Sequence, residues 1–542
     1  MGEERAIIIG AGLAGLSAAI QLAESGRGSL LISRQQSERA QSVLAEGGIN
    51  AALDTMGEGD TCGQHYEDTL RGGVFLADPN AVEGLVRHAP EIVRSLSDSG
   101  VPFNLTKDEE VMLRPFGGQK KRRTAYSRSS TGKMIMSALI DRARGFEDSG
   151  LIKRLPHHEM LRLLISEGRC TGVRIRDVFS GRCADVRGSV IVCCGGMNGV
   201  FPEMTTGTTA NTGDAAAALF SQGVRFSGLE MIQYHPTTIG IPGKRCLVTE
   251  AARGEGGRLF VNKRDGSRSY FMEEKYPELG NLMPRDVVSR EMYFVREEED
   301  TVGEVCLDMT ELSEEVWKNR LSDLREELIR CLGTDPAREP IEVHEGIHYF
   351  MGGIWVDEQH RASLAGLFAA GECACQYHGA NRLGGNSMLG AIYGGRVAAI
   401  TLMSDCPDLG AEQDVSFNLS PEAEPLSGEC REGFERELCR LLLGGLGIVR
   451  DEGLIRRALE GLDELSQRDL TPREENKLAL GRAMLLSAME RRESRGAHYR
   501  RDFPKTEDTQ RTTVAARRTE GGDIVLERLE IPQRRAEPQH EH

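Results

Sequence analysis

The chain begins with an apolar strand that runs into a glycine-rich turn and then into an apolar helix. Residues 5–15 read RAIIIGAGLAG, and Leu16–Ala23 continues as the helix. Glycines at Gly10, Gly12 and Gly15 permit a tight turn and a close approach of the backbone to a pyrophosphate, which the helix N-terminus attracts. Placed between a strand and a helix, this spacing predicts an α/β domain that binds a dinucleotide.

The residues after the second predicted strand, Leu30–Ile32, weaken an NAD interpretation of this motif. Sites for NAD place an Asp or Glu there to bind the ribose hydroxyls. This chain has Ser33 and Arg34 instead, and Ser33 offers only a neutral hydrogen bond.

Two further glycine-rich segments indicate close contact with a ligand. Around Ser42, Gly47 and Gly48 we predict a second loop of backbone approach, with an ordinary glycine turn as the alternative. Gly371–Ser387, GECACQYHGANRLGGNS, follows an apolar strand and places a Glu, a His, an Asn and an Arg among clustered glycines. That combination predicts a pocket for a cofactor and an anion.

Strands far apart in the sequence share one form, an apolar run followed by glycine. Ser189–Cys194 leads into Gly195 and Gly196, and Gly366–Glu372 ends in a glycine and an acid. Because both strands are expected to return to the first motif, we predict that a domain is inserted between them.

The composition changes near Asp405, and the remainder predicts a helical domain. Amphipathic helices are predicted at Phe434–Leu443, Glu452–Leu465 and Arg482–Arg495, the last of them ending at Gly496. Pro421–Ser427 is typical of a linker, and Pro532–His542 is typical of a disordered end.

The charge balance and the cysteines exclude several classes of function. Lys and Arg total 67 against 83 Asp and Glu, which gives a net charge of −16 and argues against a nucleic-acid surface. A site for an anion must therefore build its positive field locally. The 13 cysteines are scattered without a CxxC pair, which predicts reduced thiols, no metal site and no iron–sulfur cluster on this chain.

The N-terminal strand leaves no room for a signal peptide, and no stretch approaches the about 18 apolar residues of a membrane span. We therefore expect a cytoplasmic protein with no direct membrane span, located at the inner face of a membrane where partner subunits bring it there.

A series of motifs in a fixed order, from residue 5 to about residue 504, resembles the flavoprotein subunit of the fumarate reductase/succinate dehydrogenase family, which also contains L-aspartate oxidase. The motifs are GAGLAG at Gly10, SVLAEGGINAAL at Ser42, NTGD at Asn211, QYHPT at Gln233, TEAARGEGG at Thr249, PRDVVSR at Pro284, HYFMGGI at His348, AGE at Ala370, HGANRLGGNS at His378 and ESRGAHYRRDFP at Glu493.

The resemblance implies an α/β fold with a Rossmann-like FAD-binding domain, an inserted α+β capping domain that closes on the substrate, and a C-terminal helical domain. We place the FAD-binding domain at residues 1–233 and 345–410, the capping domain at 234–344, the helical domain at 411–510, and a C-terminal extension at 511–542.

The resemblance also implies the reaction, a hydride transfer between FAD and a C–C bond that carries two carboxylates. By the same resemblance, Arg285 is the proton donor and Glu250 and Arg253 form its relay to solvent. The residues implied to hold the dicarboxylate are His235, Thr249, Glu250, His348 and Arg382. His378 is expected to be a supporting residue.

The cofactor site implied by the resemblance draws on segments from most of the chain. The residues expected to hold FAD are Gly10, Ala11, Gly12, Leu13, Ala14, Gly15, Ser33, Arg34, Gln41, Ser42, Ala45, Glu46, Gly47, Gly48, Glu159, Gly195, Gly196, Asp214, His348, Tyr349, Glu372, Arg382, Asn386, Ser387 and Met388.

Two positions depart from parts of the family. Many members attach FAD covalently through a His, where this chain has Gln41, so we expect FAD to be bound noncovalently. Losing that bond lowers the flavin potential and favours fumarate reduction. Aspartate oxidases bind the substrate amine with a Glu, and the corresponding loop here, RPFGG, has Phe116 at that position. An uncharged ring gives an ammonium no partner, which favours the reductases.

These observations predict a catalytic flavoprotein subunit that interconverts fumarate and succinate, with reduction slightly preferred. L-aspartate oxidase is the alternative enzyme, and a flavin-carrying electron-transfer subunit without turnover is the alternative of another class. The expected partner is an iron–sulfur subunit or another redox partner, and a supply of electrons from a thiol, a flavin or NADH stays open.

Overall fold

A computed structural model describes residues 6–406, 415, 417, 419 and 428–535 of the chain. The linker predicted at Pro421–Ser427 and residues 536–542 of the predicted disordered end lie outside the described residues.

The first part of the chain alternates between helices and short strands. In order, the elements are β1 (Ala6–Ile9), α1 (Leu13–Glu24), β2 (Ser29–Ser33), β3 (Ile49–Asn50), α2 (Cys62–Gly72), α3 (Pro79–Asp98), β4 (Leu113–Arg114), β5 (Thr124–Ala125), α4 (Thr131–Asp148), β6 (Ile152–Pro156), β7 (His158–Ser166), β8 (Arg169–Asp177), β9 (Cys183–Arg187), β10 (Val190–Val192), α5 (Asp214–Ser221) and β11 (Phe226–Ser227).

The middle part is richer in antiparallel strands. It contains β12 (Ile232–Ile241), β13 (Lys244–Leu247), α6 (Ala251–Gly254), β14 (Arg258–Lys263), β15 (Arg268–Ser269), α7 (Phe271–Lys275), α8 (Arg285–Arg296), β16 (Thr301–Asp308), α9 (Glu314–Asn319), α10 (Ser322–Leu332), β17 (Ile341–Glu342) and β18 (His344–Phe350).

The last part returns to the first and then becomes mainly helical. It contains β19 (Gly353–Trp355), β20 (Leu367–Ala369), β21 (Ala374–Cys375), α11 (Asn386–Asp405), α12 (Gly428–Leu446), β22 (Val449–Arg450), α13 (Glu452–Leu465), α14 (Pro472–Glu490), β23 (Tyr499–Arg500), β24 (Thr512–Arg518) and β25 (Ile524–Glu530).

A parallel sheet in the order β20-β10-β1-β2-β6 forms the centre of the dinucleotide-binding part. Ile7 lies between Leu30 and Val190, and Val190 pairs in turn with Leu367. All four side chains are fully or almost fully buried, as expected for a parallel sheet covered on both faces. Strands β10 and β20 therefore return to β1 as predicted, and the chain between them leaves the sheet.

Two glycines permit close backbone contacts around the N-terminal turn, one between α1 and the turn and one between α11 and α1. A Cβ at Gly15 would overlap the carbonyl of Gly10, and a Cβ at Gly395 in α11 would overlap the carbonyl of Ala14. Helices α1 and α11 consequently lie side by side over the N-terminal turn. The α/β class predicted from the motif is confirmed.

The segment between the two halves of the dinucleotide-binding part builds its own small sheets. Strands β13, β12 and β18 form one antiparallel sheet, and β15, β14, β16 and β17 form another. Apolar residues from Ile239 to Val343 pack into one hydrophobic cluster, which Phe116 joins from outside the segment. The fold class with an inserted α+β domain is confirmed, whereas its limits at 234 and 344 stay a prediction.

The helix predicted to run to Gly496 ends earlier, because α14 stops at Glu490. The next residues leave the helix for a buried ionic network in which Arg491 contacts Glu230 at 2.8 Å and Glu493 at 2.9 Å. Arg495 contacts Glu493 at 2.8 Å. One long-range ion pair, Arg491 with Glu230, and two local pairs on Glu493 therefore override the helical tendency of ESRG.

The residues treated as a C-terminal extension contain a paired hairpin. Strands β24 and β25 continue a five-stranded sheet in the order β21-β19-β11-β24-β25. Thr512 pairs with Glu530 at one end of the hairpin, and Arg518 pairs with Ile524 at the other. Residues 512–530 are thus an integral part of the fold.

Candidate active site

One continuous cavity runs from the N-terminal glycine turn to the inserted segment. At one end it is lined by Ser33, Arg34 and Glu159, and at the other by Arg285 and Arg382. The carboxyl ends of β1, β2, β10 and β20 open onto it, which is where open parallel sheets bind ligands.

The glycine turn forms a cradle that only a bare backbone can make. Gly10 has φ of +113°, and a Cβ there would overlap the carbonyl of Cys193. The amide of Leu13, in the first turn of α1, donates to Ser42 Oγ at 3.2 Å. The second predicted loop therefore folds directly onto the first, and both line the cavity.

Gln41 is turned back onto the protein. Its side-chain oxygen accepts a short hydrogen bond from the amide of Thr208. Gln41 lines the cavity together with Ala45, Glu46 and the adjacent glycines. An amide has no nucleophilic ring nitrogen, and the noncovalent binding expected from Gln41 stays a prediction.

Glu46 is a buried acid beside this loop. Burial raises the pKa of Glu46 well above its usual value, and the nearby carboxylate of Glu327 raises it further. Arg114 donates to the carbonyls of Glu46 and Gly47. Glu46 therefore holds its proton more tightly than an exposed carboxyl group does, and Arg114 fixes the backbone of the loop.

Ionic contacts gather at the end of the cavity next to β2. Arg34 contacts Glu159 at 2.8 Å and Asp214 at 3.6 Å, and Arg176 holds the other oxygen of Glu159 at 2.5 Å. Ser33 donates to the carbonyl of Gln35 at 2.7 Å, so its oxygen is left as an acceptor on the cavity wall.

Glu372 lies in the middle of the cavity, after β20. Its Oε1 accepts from the amide of Phe350 at 3.1 Å, and a Cβ at Gly196 would stand 2.5 Å from the same oxygen. Burial raises the pKa of Glu372 to about 7, against the opposing effects of the Phe350 amide and Arg382. A hydroxyl-bearing ligand chain would meet this acid directly.

Glu250 and Arg285 form a buried ion pair at the far end of the cavity. Arg285 donates to Glu250 Oε2 from Nη2 at 2.6 Å and from Nε at 2.8 Å, and the Gly117 amide donates to Oε1 at 2.7 Å. Although burial opposes ionisation, Arg285 and Arg253 lower the pKa of Glu250 below its usual value. The pair is thus ionised at neutral pH.

Gln233 connects this pair to the glycine-rich segment after β20. Its Oε1 accepts from Arg285 Nη1 at 3.2 Å, while its Nε2 donates to Asn381 Oδ1 at 2.8 Å and to the Arg382 carbonyl at 2.9 Å. Gln233 is fully buried, and it was not among the residues selected from the sequence. Its place in QYHPT, two residues before His235, was the available signal.

Arg382 and Arg253 add two more buried cations. Arg382 lies over the ring of Tyr349, with 4.6 Å between the guanidinium carbon and the ring centre. Burial and the nearby Arg285 lower the pKa of Arg382 to about 9. Arg253 donates to the carbonyl of Asn281 at 2.5 Å and lies behind the cavity wall. Within the described residues, Arg382 Nε and two Arg253 nitrogens have no hydrogen-bond partner.

His235 and His348 stand next to each other, with ring centres 5.1 Å apart. Burial and the neighbouring Arg285 lower the pKa of both rings well below the usual value, so both are neutral near pH 7. His348 Nδ1 lies 2.8 Å from Thr206 Oγ1, and His235 Nδ1 lies 3.1 Å from the carbonyl oxygen of Thr237 and 3.3 Å from its amide nitrogen. Each ring therefore has a threonine behind it.

Thr206 also lines the cavity and was missed from the sequence. If its hydroxyl donates to His348 Nδ1, the hydrogen of that ring is on Nε2, the nitrogen farther from Thr206. Among the described residues, His235 Nε2 has no hydrogen-bond partner of its own. The Nε2 atoms of His348 and His235 are thus left to a ligand, and the tautomer of each ring decides whether its Nε2 donates or accepts.

The basic run at residues 114–123 is partly buried in the structure. By itself such a run predicts a solvated surface, yet Phe116 and Arg114 are buried, and Arg123 is completely buried between Asp60 and Asp68. Phe116 lines the cavity next to Gly47 and Gly384. Part of this run is therefore interior, because Asp60 and Asp68 bind Arg123 and because Arg114 and Phe116 are buried.

Three predicted residues are not on the cavity wall. The Asn386 side chain accepts from Asn50 at 2.7 Å and donates to Thr69 at 3.0 Å, so it holds the start of α11 instead of facing a ligand. Gly15 supports the turn from behind, and Arg253 lies in the second layer. His378 is buried against Tyr349, as expected of a supporting residue.

The remaining predicted residues line the one cavity. They are Gly10, Ala11, Gly12, Leu13, Ala14, Ser33, Arg34, Gln41, Ser42, Ala45, Glu46, Gly47, Gly48, Phe116, Glu159, Gly195, Gly196, Asp214, His235, Thr249, Glu250, Arg285, His348, Tyr349, Glu372, Arg382, Ser387 and Met388. Their roles toward a ligand stay predictions.

Comparison with known proteins agrees with this cavity. Residues 5–388 match the family of the FAD binding domain, and residues 471–541 match the fumarate reductase flavoprotein C-terminal family. The succinate dehydrogenase flavoprotein subunit of Bacillus subtilis is 35% identical, over 95% of this chain and 94% of that protein. The L-aspartate oxidase of Streptomyces coelicolor is 33% identical, over 93% of this chain and 89% of that protein.

Solved structures give the same answer. A quinol fumarate reductase chain from E. coli, carrying a point mutation, superposes with a TM-score of 0.86 at 28% identity, over 98% of this chain and 97% of that chain. The fold and the cavity define an FAD-dependent oxidoreductase. The chain belongs to the succinate dehydrogenase/fumarate reductase flavoprotein family, which also contains L-aspartate oxidase.

The cavity fits FAD on its own evidence. A bare-glycine cradle lies at the helix N-terminus, where a pyrophosphate binds, and a buried acid follows at the place of the ribityl chain. Glu372 can accept a hydrogen bond from a ribityl hydroxyl, and its ionised form is the stronger acceptor.

Because the pKa of Glu372 is about 7, FAD affinity should depend on pH. Below that pH the free carboxyl is protonated, and binding that requires the carboxylate must first release the proton. We expect the dissociation constant of FAD to fall about tenfold between pH 6 and pH 8. Flavin fluorescence during reconstitution measures it. Glu372→Gln should remove this step, and an unchanged step in that variant would contradict the assignment.

Proposed function

We propose that this protein interconverts fumarate and succinate at FAD, with reduction slightly preferred. The carrying observation is the charge at the inner end of the cavity. Three buried guanidiniums, Arg253, Arg285 and Arg382, surround one ionised carboxylate, Glu250. The histidines beside them are neutral. An excess of two positive charges in a protein of net charge −16 suits a ligand with two negative charges.

The two carboxylates of such a ligand find different partners. Arg382 supplies a guanidinium fork on one wall, and the neutral rings of His235 and His348, each in the tautomer with its hydrogen on Nε2, supply donors on the other together with the hydroxyl of Thr249. Neutral imidazoles add hydrogen bonds without adding further charge to the crowded cations. The ligand would therefore be held across its whole length, which leaves its central C–C bond facing the flavin.

FAD supplies or accepts the hydride in this chemistry when it is bound. The matching proton at the other carbon would come from Arg285, whose side chain reaches the cavity and is paired with Glu250. A free guanidinium is a poor acid because its pKa exceeds about 12. As Arg285 gives up its proton, a proton from solvent can pass by way of Arg253 to the carboxylate of Glu250, and from there to Arg285 across the contact of 2.6 Å. The alternative role for Arg285 is stabilisation of developing charge.

Phe116 supports the reductase over the aspartate oxidase alternative. The amino group of aspartate carries a positive charge and requires an acidic partner. Phe116 presents an apolar ring at the cavity wall, and a carboxylate beside it, Glu250, is already bound by Arg285 and the Gly117 amide. An ammonium would face the same three guanidiniums that favour an anion.

The family resemblance supports a partner that exchanges electrons with the flavin. Relatives bear the names of subunits, such as the succinate dehydrogenase flavoprotein subunit of Bacillus subtilis. No group of three metal-ligating side chains occurs in the part of the chain that the structure describes. The same described part contains no helix long and apolar enough to cross a lipid bilayer. We propose an iron–sulfur subunit as the partner, at the inner face of a membrane.

A substrate panel tests the function. Purified protein should oxidise a reduced viologen dye with fumarate and reduce a dye with succinate, the first reaction being faster, and it should not consume oxygen with aspartate. Aspartate-dependent oxygen uptake without fumarate turnover would identify an aspartate oxidase. A flavin spectrum that fumarate leaves unperturbed would identify a subunit without turnover.

Arg285→Lys tests the proton donor. Lysine keeps one charge but loses the fork that contacts both Glu250 and Gln233. We expect turnover to fall by about 100-fold or more while FAD stays bound and fumarate still perturbs its spectrum. Arg290→Lys is the matched control on the same helix, because Arg290 lies over Tyr499 outside the cavity. Near-normal turnover in Arg285→Lys would refute the acid role.

Acid precipitation tests the attachment of FAD. Because Gln41 stands at the position of the linking histidine, the yellow colour should pass entirely into the supernatant. Flavin fluorescence of the supernatant and of the washed pellet measures the two fractions. Flavin that stays with the pellet would show a covalent bond and would contradict the noncovalent site.

A further inference from the structure

The cavity end next to β2 is closed by a helix from the far end of the chain. Glu159 and Asp214 line this end, where a dinucleotide fold places the ribose of the adenosine half. Both carboxylates are also in contact with cations of α14, Pro472–Glu490. Those cations are absent from the family motifs used to select the site.

Arg473 makes the closest of these contacts. Its Nη2 forms a short ion pair with Asp214 Oδ2 and lies 3.6 Å from Glu159 Oε2. Lys477, one helical turn further on, lies 3.3 Å from Asp214 Oδ1 and 2.5 Å from Glu435 of α12. The spacing of four residues puts both cations on one face of the helix, toward the cavity.

The start of α14 is built to hold Arg473 in place. Thr471 caps the helix by accepting from the Glu474 amide at 3.3 Å, and Glu474 accepts from the Thr471 amide at 2.8 Å. Pro472 occupies the first turn, where its missing amide hydrogen costs nothing. Arg473 thus belongs to a first turn whose backbone is fixed by the cap, which limits the positions that its side chain can take.

These groups are desolvated, which makes each of them depend on the others. Arg473 is 11% exposed, Lys477 4%, Asp214 13% and Glu159 12%. Burial lowers the pKa of Arg473 to about 10, and Glu159 opposes that effect. Removing one partner from such a group leaves an uncompensated buried charge. Neither cation lines the cavity, so both act on a ligand only through the two carboxylates.

We infer that Arg473 and Lys477 are positioning residues for FAD, which fix Asp214 and Glu159 at the adenosine end and couple FAD binding to the docking of the C-terminal helices. Because coupling between two equilibria is reciprocal, FAD in turn holds α14 in place. This inference concerns the cofactor and does not depend on which acid the enzyme reduces.

The first arm of the test measures FAD affinity. Arg473→Gln and Lys477→Met should each raise the dissociation constant of FAD roughly 5- to 150-fold, the usual range for coupled sites. Flavin release from the diluted holoenzyme, followed by fluorescence, gives the constant. Arg473→Lys, which keeps the charge, should recover part of the affinity. Arg482→Gln is the matched control, because Arg482 lies on the same helix in an exposed ion pair with Asp463.

The second arm begins with the unmodified chain and separates coupling from plain stability. Hydrogen exchange of the first turns of α14 should be slower in the FAD-loaded protein than in the protein stripped of FAD. Arg473→Gln should lose that difference. Equal exchange with and without FAD in the unmodified chain would overturn the inference. So would variants that lower the thermal midpoint of the stripped protein and leave FAD affinity unchanged.

Discussion

The ion pair between Glu250 and Arg285 is the contact on which the inner end of the cavity depends. Both residues come from the inserted segment, but the Gly117 amide from the first part of the chain completes the shell of Glu250. Gln233 then carries the contact from Arg285 to the Arg382 segment. One buried pair therefore joins three regions. A pair of this kind contributes little net stability after desolvation, so its value is the geometry that it imposes.

The same pair sets the electrostatics of the site. Glu250 neutralises one guanidinium, and the charges of the other two are left without an anion in a region from which water is largely excluded. Burial lowers the pKa of Arg382, and repulsion from Arg285 lowers it further. A dianion would relieve that repulsion on entering. Neutral His235 and His348 then add direction without adding charge, which is why their burial is useful.

The N-terminal glycine turn could be predicted because it depends on local spacing, whereas most of the cavity residues were expected from the resemblance that the motifs carry in their order. The errors share one physical cause, which is contact between distant segments. Asn386 turns away because Asn50 and Thr69 bind it, and Arg123 is buried because Asp60 and Asp68 surround it. Helix α14 ends at Glu490 because Arg491 finds Glu230. No window of the sequence contains both partners of these contacts.

Contacts between distant residues also connect the C-terminal part of the chain to the cavity. At one end of α14, Arg473 reaches Asp214 on the cavity wall, and just beyond the other end, Arg491 holds Glu230. Glu230 lies two residues before the start of β12, the strand that carries Gln233 and His235. The C-terminal helix is therefore attached to the cavity at two points, one beside each predicted ligand. Apolar packing alone would hold this helix with a lower desolvation cost than buried ion pairs at both of its ends. The ion pairs therefore indicate that the position of the helix relative to the cavity matters.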